Sequence, residues 1–181
     1  MQLKDNYKIL SFLLILLSTS SFFLRPLLDT VFGSFLFFST IPPRANGGNM
    51  DDPSLVEGTT VYFPVFVKGA LFSIGDGHAV QGLGEVCGTA IEAPMTFTYR
   101  LRVIKDKPGI KEPQYETNDY YAVTGFGTTI DIATKKAVNF MIDHLVANYD
   151  ISDEDAYMLC SLVGDLKIAE VVDVPNMLVT M

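Results

Sequence analysis

The stretch GDGHAVQGLGEVCGTAIE, residues 75–92, concentrates polar and conformationally free residues between two apolar segments. It contains five glycines, three acidic residues and one of the two histidines of the chain. Glycine lets the backbone adopt positive φ or approach another group closely. Because a largely apolar run at 61–74 precedes it and a strand-like run at 95–104 follows it, we expect a β-hairpin that presents polar side chains.

Two pairs of residues in this stretch have the i, i+2 spacing that places side chains on one face of a strand. They are Asp76 with His78, and Glu85 with Cys87. A turn at 81–84 would bring the two arms together, because facing residues of a hairpin lie about 5 Å apart. Carboxylate and imidazole groups are ligands of divalent metal ions, and zinc is the favoured identity. The alternative is a glycine-rich turn in which Asp76 and His78 only satisfy local hydrogen bonds.

Several blocks of the chain together resemble a known family. They are PPRANGGNMD (42–51), GTTVYFPVFVKGALFSIGDGH (58–78), GDGHAVQGLGEVCGTAIEAPM (75–95) and DAYMLCSLVGDLKIAEVVD (155–173). In this order they resemble the acetamidase/formamidase family of linear-amide hydrolases. Members of that family carry an aspartate in the turn where this chain has Leu83. They also have an additional, mostly β N-terminal half, and nothing before residue 40 resembles it.

The resemblance implies hydrolysis of formamide-like or acetamide-like substrates to a carboxylate and ammonia. A neutral amide is a poor electrophile, so its oxygen must be polarised and water must be activated. We expect a divalent metal ion held by Asp76 and His78 to do both. Glu85 or Glu92 would then be the catalytic proton shuttle.

Three further residues are candidates for substrate binding: Asn49, Asp51 and Gln81. For Asn49 and Asp51 the alternative is a local turn and the cap of a short turn that follows. Two rival functions also remain. One is a catalytically inactive, metal-binding remnant of the family, and the other is a serine- or cysteine-based amidase. The second is disfavoured because the chain has no G-x-S-x-G motif.

Charge and cysteine content limit the partners. The net charge of −8 and the pI near 4.6 argue against nucleic acid, whose phosphates require a basic surface, and against acidic substrates. A small neutral amide is compatible with this charge. The two cysteines, Cys87 and Cys160, form no C-x-x-C motif, which is typical of free thiols in a reducing compartment. We expect Cys87 to be a buried thiol.

Residues 1–40 differ in composition from the rest of the chain. They contain seven of the 13 phenylalanines, and residues 9–24 carry no charge. Such a leader is typical of a signal peptide or a membrane anchor, and the alternatives are an unrelated or artefactual segment and a core helix. The predicted domain is therefore 41–181, the C-terminal part of an acetamidase/formamidase-like fold. The protein is cytoplasmic if the leader is no true signal, and secreted or membrane-anchored otherwise.

Hydrophobic periodicity predicts an α+β protein, with an antiparallel β-sheet or sandwich and a C-terminal helical hairpin. A helix is expected at 131–149, and a second one starts after Ser152 and ends at Gly164. The segment 105–118 is expected to be a polar connection. The predicted strands cover residues 59–67, 70–74, 88–92, 95–104, 120–125 and 167–172. The apolar face of the sheet would be covered by the leader, by another copy in a homo-oligomer, or by nothing.

Overall fold

The computed structural model describes residues 9–11, 39–105 and 109–181 of the chain. Within these ranges the backbone forms eleven strands and two helices. The strands are β1 (Ile9–Ser11), β2 (Pro43–Arg44), β3 (Gly47–Gly48), β4 (Thr60–Pro64), β5 (His78–Val80), β6 (Ile91–Glu92), β7 (Arg102–Ile104), β8 (Gln114–Glu116), β9 (Tyr121–Gly127), β10 (Lys167–Glu170) and β11 (Met177–Thr180). The helices are α1 (Ile130–Asn148) and α2 (Asp153–Val163).

Seven of these strands form one antiparallel sheet in the order β10-β11-β9-β8-β4-β1-β7. Two short ribbons, β2 with β3 and β5 with β6, lie outside it. Helix α1 packs on β9 and β11, and α2 packs on α1. An antiparallel sheet with segregated helices is an α+β fold, so the predicted fold class is confirmed.

Strand β9 is buried on both faces because it joins the core of the sheet to the helices. Ala122 and Phe126 belong to the main hydrophobic core, which also contains Val61 and Leu178. Side chains alternate along a strand, so Gly125 lies on the opposite face, where α1 packs. A Cβ atom at Gly125 would lie 2.3 Å from the carbonyl oxygen of Ala133 in α1. The absence of a side chain there therefore allows α1 to approach the strand.

We expect Gly125→Ala to lower the free energy of unfolding by about 1–3 kcal/mol or more, as overpacking of a core does. The atoms that the new methyl group would meet belong to the helix backbone, which cannot rotate away as a side chain can. Urea unfolding of the variant and the parent protein measures the difference. Gly82→Ala is the matched control, because a Cβ atom there has nothing within 4 Å. Equal stability of the Gly125→Ala variant and the parent would contradict this packing.

Both helices begin after a polar residue that caps the first turn, and α2 also ends at a glycine. Thr129 accepts a hydrogen bond from the backbone N–H of Ile132 at the start of α1. Ser152 accepts one from Asp155 at the start of α2, and Gly164 follows its last residue. The expected helices at 131–149 and 152–164 are thus confirmed to within about two residues.

Three of the predicted strands are wrong or much shorter. The strand predicted at 88–92 is reduced to β6, because Gly88 has a φ of 73°. Residues 70–74 form no strand, because Ala70 and Leu71 have φ values of 59° and 52°, which an extended backbone does not contain. Residues 95–101 form no strand either, and regular pairing begins only at Arg102. Tyr99 and Leu101 are about half exposed, so the expected buried face of this segment is not formed.

The prediction that 105–118 is only a polar connection is wrong as well. Its second half forms β8, which pairs with β4 on one side and β9 on the other. Tyr115 in this strand is 1% exposed. Its hydroxyl group donates a hydrogen bond to Asp52 Oδ2 at 2.8 Å, which satisfies the polar end of a buried aromatic ring.

One segment of the predicted leader forms a strand of the seven-stranded sheet. Its residues Ile9–Ser11 form β1, whose backbone pairs with β4 and β7. Apart from residues 39 and 40, the rest of the leader lies outside the described residues, and the boundary at residue 40 stays a prediction. Among the described helices, none has the length and apolar character needed to cross a membrane.

Candidate active site

The ribbon of β5 and β6 places His78 opposite Glu92, and Val80 opposite Ile91. The sequence predicted instead that the arm containing Glu85 and Cys87 would face His78. That register is wrong because Glu85 has a φ of 41°, and the glycines at 84 and 88 also have positive φ, so this arm is not extended. Cys87 is exposed, which corrects the expectation of a buried thiol.

His78 is nevertheless surrounded by the groups that the sequence singled out. Its Nε2 lies 3.2 Å from Glu92 Oε2 and 3.5 Å from Asp76 Oδ1. Its Nδ1 lies 2.9 Å from Gln81 Oε1. Asp76 reaches this position with a φ of 57°, which aspartate tolerates better than most residues. The ring is mostly buried, with a side-chain exposure of 13%, whereas Glu92 is 54% exposed.

A second group of acidic side chains lies directly beside His78. Asp51 and Glu85 are both 7% exposed, and their carboxylate oxygens lie within 4.8 Å of each other. The side-chain amide of Asn49 donates hydrogen bonds to the carboxylates of Asp51 and Asp173. Residues 49 and 51, from the loop before β4, thus lie beside residue 85 and beside residue 173 from the C-terminal part of the chain.

Sequence reasoning missed two members of this group, Glu170 and Asp173. Glu170 is fully buried, and its Oε2 accepts a hydrogen bond of 2.8 Å from the backbone N–H of Asp51. Backbone bonds between residues 84 and 169–171 hold β10 against the loop that carries Glu85. The sequence did contain one signal, a glutamate inside the apolar strand-like run at 167–172. A glutamate is seldom fully buried unless its charge is paired, so its position in a buried strand indicates a partner or a ligand.

The buried carboxyl groups resist ionisation. Burial, which has the largest effect, and the neighbouring carboxylates of Glu170 and Glu85 together raise the pKa of Asp51 to about 9. Burial also raises the pKa of Glu170 to about 9, against the opposing effect of the hydrogen bond from Asp51. Burial raises the pKa of Glu85 as well. The cluster therefore holds more negative charge, when ionised, than its own donors neutralise.

The pKa of His78 is shifted the opposite way from what burial alone would do. Burial lowers it, but the hydrogen bond with Gln81 and three nearby carboxylates outweigh that effect and place the pKa above 6.5. The carboxylates are, in decreasing order of effect, those of Glu92, Asp76 and Glu85. The carboxylates around the ring favour a positive charge at this position, which is supplied either by a second proton on the imidazole or by a bound cation.

The donor set fits a divalent cation. Three sets of three side chains could each hold one ion. Within each set, one ligand atom per side chain lies within 4.8 Å of the ligand atoms of the other two. The sets are Asp51 with Asp76 and His78, His78 with Glu85 and Glu92, and Asp51 with Glu85 and Asp173. In addition, Oε1 of Glu170 is buried and has no hydrogen-bond partner within the described ranges. An excess of buried negative charge together with a nitrogen ligand is chemistry that suits zinc and similar ions.

The pKa shifts predict how stability depends on pH in the metal-free protein. Asp51 and Glu170 bind their protons more tightly when folded, with pKa values of about 9 against 3.8 and 4.5 for the ordinary side chains. Stability from these protons is complete at low pH and is lost as pH rises towards 9. We therefore expect the melting temperature to fall by several degrees between about pH 5.5 and about pH 8.5.

Calorimetry in the presence of a chelator measures this dependence. The Glu170→Gln variant keeps the shape of the side chain and removes its titration, so its melting temperature should vary less with pH. Added Zn²⁺ should raise the melting temperature most at alkaline pH, where the carboxylates are ionised. A parent protein whose stability rises between about pH 5.5 and about pH 8.5 would contradict the assignment.

Comparison with known proteins identifies the fold. The sequence model of the Acetamidase/Formamidase family matches residues 37–181. The chain belongs to this family. A formamidase of Methylophilus methylotrophus is 34% identical over 164 residues, which cover 78% of this chain and 40% of that protein. An acetamidase of Mycolicibacterium smegmatis is 53% identical over 68 residues, which cover 36% of this chain and 16% of that protein.

Solved structures agree with this assignment. The acetamidase from Yersinia enterocolitica superimposes with a TM-score of 0.75 at 35% sequence identity, over 78% of this chain and 42% of that chain. The acetamidase from Bacillus halodurans gives a TM-score of 0.75 at 33% identity, over 78% of this chain and 48% of that chain. The chain thus spans less than half the length of these acetamidase/formamidase relatives.

Proposed function

We propose that this chain hydrolyses the C–N bond of small linear amides, such as formamide and acetamide, to a carboxylate and ammonia at the His78 cluster. Relatives named formamidase and acetamidase support the substrate class. The observation that carries the proposal is the convergence of His78 with Asp76, Glu85 and Glu92, groups that can hold a cation and move a proton. The whole reaction needs only water as the second substrate.

His78 Nε2 and the carboxylate of Asp76 are the proposed metal ligands, as the sequence predicted. Glu92 Oε2 lies 3.2 Å from the same nitrogen and would be a third ligand. An oxygen of Asp51 lies within 4.8 Å of the ligand atoms of His78 and Asp76, which supports a role in holding the ion beside its predicted role in substrate binding. A divalent ion, with zinc favoured, supplies Lewis acidity towards an amide oxygen and lowers the pKa of a water molecule to about 7.

Glu85 is the better candidate for the proton shuttle. It is buried beside Asp51 and its pKa is raised, so it is poised to accept a proton from water and return it to the leaving nitrogen. Glu92 is more than half exposed and contacts His78 directly, which suits a ligand. We therefore divide the two predicted catalytic glutamates between proton transfer at Glu85 and ion binding at Glu92.

Asn49 is the proposed substrate-orienting residue. Its NH₂ group is engaged with the carboxylates of Asp51 and Asp173, so its Oδ1 is the atom that would accept a hydrogen bond from the N–H of a substrate amide. The acidic surroundings repel a negatively charged substrate, and they also repel the carboxylate product, which favours its release. The same acidity, with a net charge of −8, disfavours nucleic acid. A homo-oligomer, and a membrane contact through residues 1–40, stay predictions, as does the cytoplasmic or secreted location.

Ammonia release tests the proposal. The purified chain is incubated with formamide or acetamide after loading with Zn²⁺, and in parallel after treatment with a chelator. Ammonia should form only in the metal-loaded sample. A metal-loaded, folded protein that releases no ammonia from either amide would contradict the proposed activity.

A catalytically inactive, metal-binding remnant of the family is the second candidate. It is favoured by Leu83, which stands where the family resemblance places an aspartate. This candidate predicts stoichiometric Zn²⁺ binding without amide hydrolysis. The metal and ammonia measurements together therefore separate the two functions.

A further inference from the structure

Gln81 uses both ends of its side-chain amide inside the cluster. Its Oε1 lies 2.9 Å from His78 Nδ1, and its Nε2 donates a hydrogen bond of 2.6 Å to the backbone carbonyl of Asp51. The sequence predicted that Gln81 binds substrate. These contacts instead engage the amide with His78 on one side and with a backbone group thirty positions away on the other.

The backbone carbonyl of Asp51 fixes which way the amide points. A carbonyl oxygen only accepts hydrogen bonds, so the NH₂ group of Gln81 must face it. The amide oxygen of Gln81 then faces His78 Nδ1, and this oxygen also only accepts. Nδ1 must therefore carry the hydrogen, because two acceptors 2.9 Å apart would repel each other. A neutral ring with its hydrogen on Nδ1 has its lone pair on Nε2, the nitrogen that faces Glu92 and Asp76.

We propose that Gln81 is a positioning residue that selects the Nδ1–H tautomer of His78 and thereby makes Nε2 available as a metal ligand. The opposite tautomer would point its hydrogen at the carboxylates and would have no lone pair there for an ion. Outer hydrogen bonds of this kind orient ligating histidines in metal sites generally. Without an ion, the carboxylates of Glu92 and Asp76 would accept a hydrogen from Nε2, so the selection concerns the ion-bound ring and rests on the proposed function.

The tautomer can be read directly by nuclear magnetic resonance. The chain has only two histidines, so ¹⁵N-histidine labelling gives two imidazole spectra, and the His144→Gln variant identifies that of His78. Spectra are recorded of the Zn²⁺-loaded protein, in which the ligating nitrogen carries no hydrogen. We expect the parent protein to show hydrogen on Nδ1 and none on Nε2. Hydrogen on Nε2 in the parent would overturn the proposal.

Two substitutions separate hydrogen bonding from space filling. Gln81→Met keeps the length and volume of the side chain and removes both hydrogen bonds, so the His78 ring loses its support and Zn²⁺ binding should weaken. Gln81→Glu keeps an acceptor for Nδ1–H, so Zn²⁺ binding should be retained. If the role of Gln81 were packing alone, the methionine variant would behave like the parent and the glutamate variant would not. That order of results would overturn the proposal.

Zn²⁺ affinity provides the second readout, measured by competition with a chelator. Gln81→Met should bind Zn²⁺ about 10–100-fold more weakly than the parent, as loss of an outer partner does. Cys87→Ser is the control on the same loop, since Cys87 is exposed and its sulfur contacts only the Thr89 carbonyl oxygen among the bonds described. Unchanged affinity in Gln81→Met would overturn the proposal. If the tautomer and the affinity changes are as expected but the protein releases no ammonia, the role of Gln81 is upheld and the proposed activity is refuted.

Discussion

The His78→Ala variant is expected to lose stoichiometric Zn²⁺ binding while the seven-stranded sheet stays folded. His78 belongs to two of the three candidate ligand groups and is the only nitrogen donor in them. Its removal leaves carboxylates alone, so the loss of affinity should exceed the roughly 10–100-fold loss that follows removal of an outer partner. Elemental analysis of dialysed protein measures the bound metal, and circular dichroism measures the fold. Amide hydrolysis should be lost together with the metal.

The second histidine of the chain provides a matched control. His144 lies in α1, where its ring stacks on Tyr121 at a centroid distance of 3.8 Å. None of the candidate ligand groups includes it. His144→Ala should therefore keep its zinc content, although loss of the stacked ring will cost about 0.5–1.5 kcal/mol of stability. One Zn²⁺ per chain in His78→Ala would show that His78 is no ligand and would leave the group at Asp51, Glu85 and Asp173 as the alternative.

The Leu83→Asp variant is expected to release ammonia from formamide at least tenfold faster than the unaltered chain, which should be only weakly active. Leu83 lies in the loop between Gln81 and Glu85, where the family resemblance places an aspartate. Catalysis needs groups held within a fraction of an ångström, and a misplacement of 1 Å can cost about a hundredfold in rate. A missing carboxylate in this loop therefore has a large expected effect on the proton and metal chemistry beside it.

The position tolerates the change, which keeps the experiment interpretable. Leu83 is 55% exposed, so the substitution should alter stability by no more than about 0.5 kcal/mol. Leu83→Asn has nearly the same shape as Leu83→Asp without the charge and serves as the control. Equal gains in both variants would show that the carboxylate is not the missing group. Rapid ammonia release by the unaltered chain would refute the prediction that this chain is impaired.

Local sequence determined the elements whose signals are short-range. The order of strands and helices, the periodic apolar face of α1, and the caps of α2 all depend on neighbouring residues, and the structure contains them. Such features were predictable because propensity and capping act over a few residues. Asp76 and His78 do meet, as expected, but Asp76 has a φ of 57° and not the extended backbone that the spacing argument assumed.

Only the tertiary structure decided which residues complete the cluster. Asp51 meets Glu170 across 119 positions, and Asn49 meets Asp173 across 124. Spacing carries no information about contacts at that separation. The burial that raises the pKa values of Asp51 and Glu170 arises from β10 packing on the loop at 84–85, which no local pattern in the chain specifies.

The register of the ribbon at His78 shows why the rest of the site escaped sequence analysis. Alternation predicted Glu85 as the residue that faces His78. The structure places Glu92 there instead, and Glu85 lies in a loop where its backbone has a positive φ. Glycine-rich loops allow both arrangements, since their backbone has little local preference. The choice between them was made by contacts with β10 and with residue 51, because a loop without its own preference takes the conformation that buries and satisfies its polar groups best.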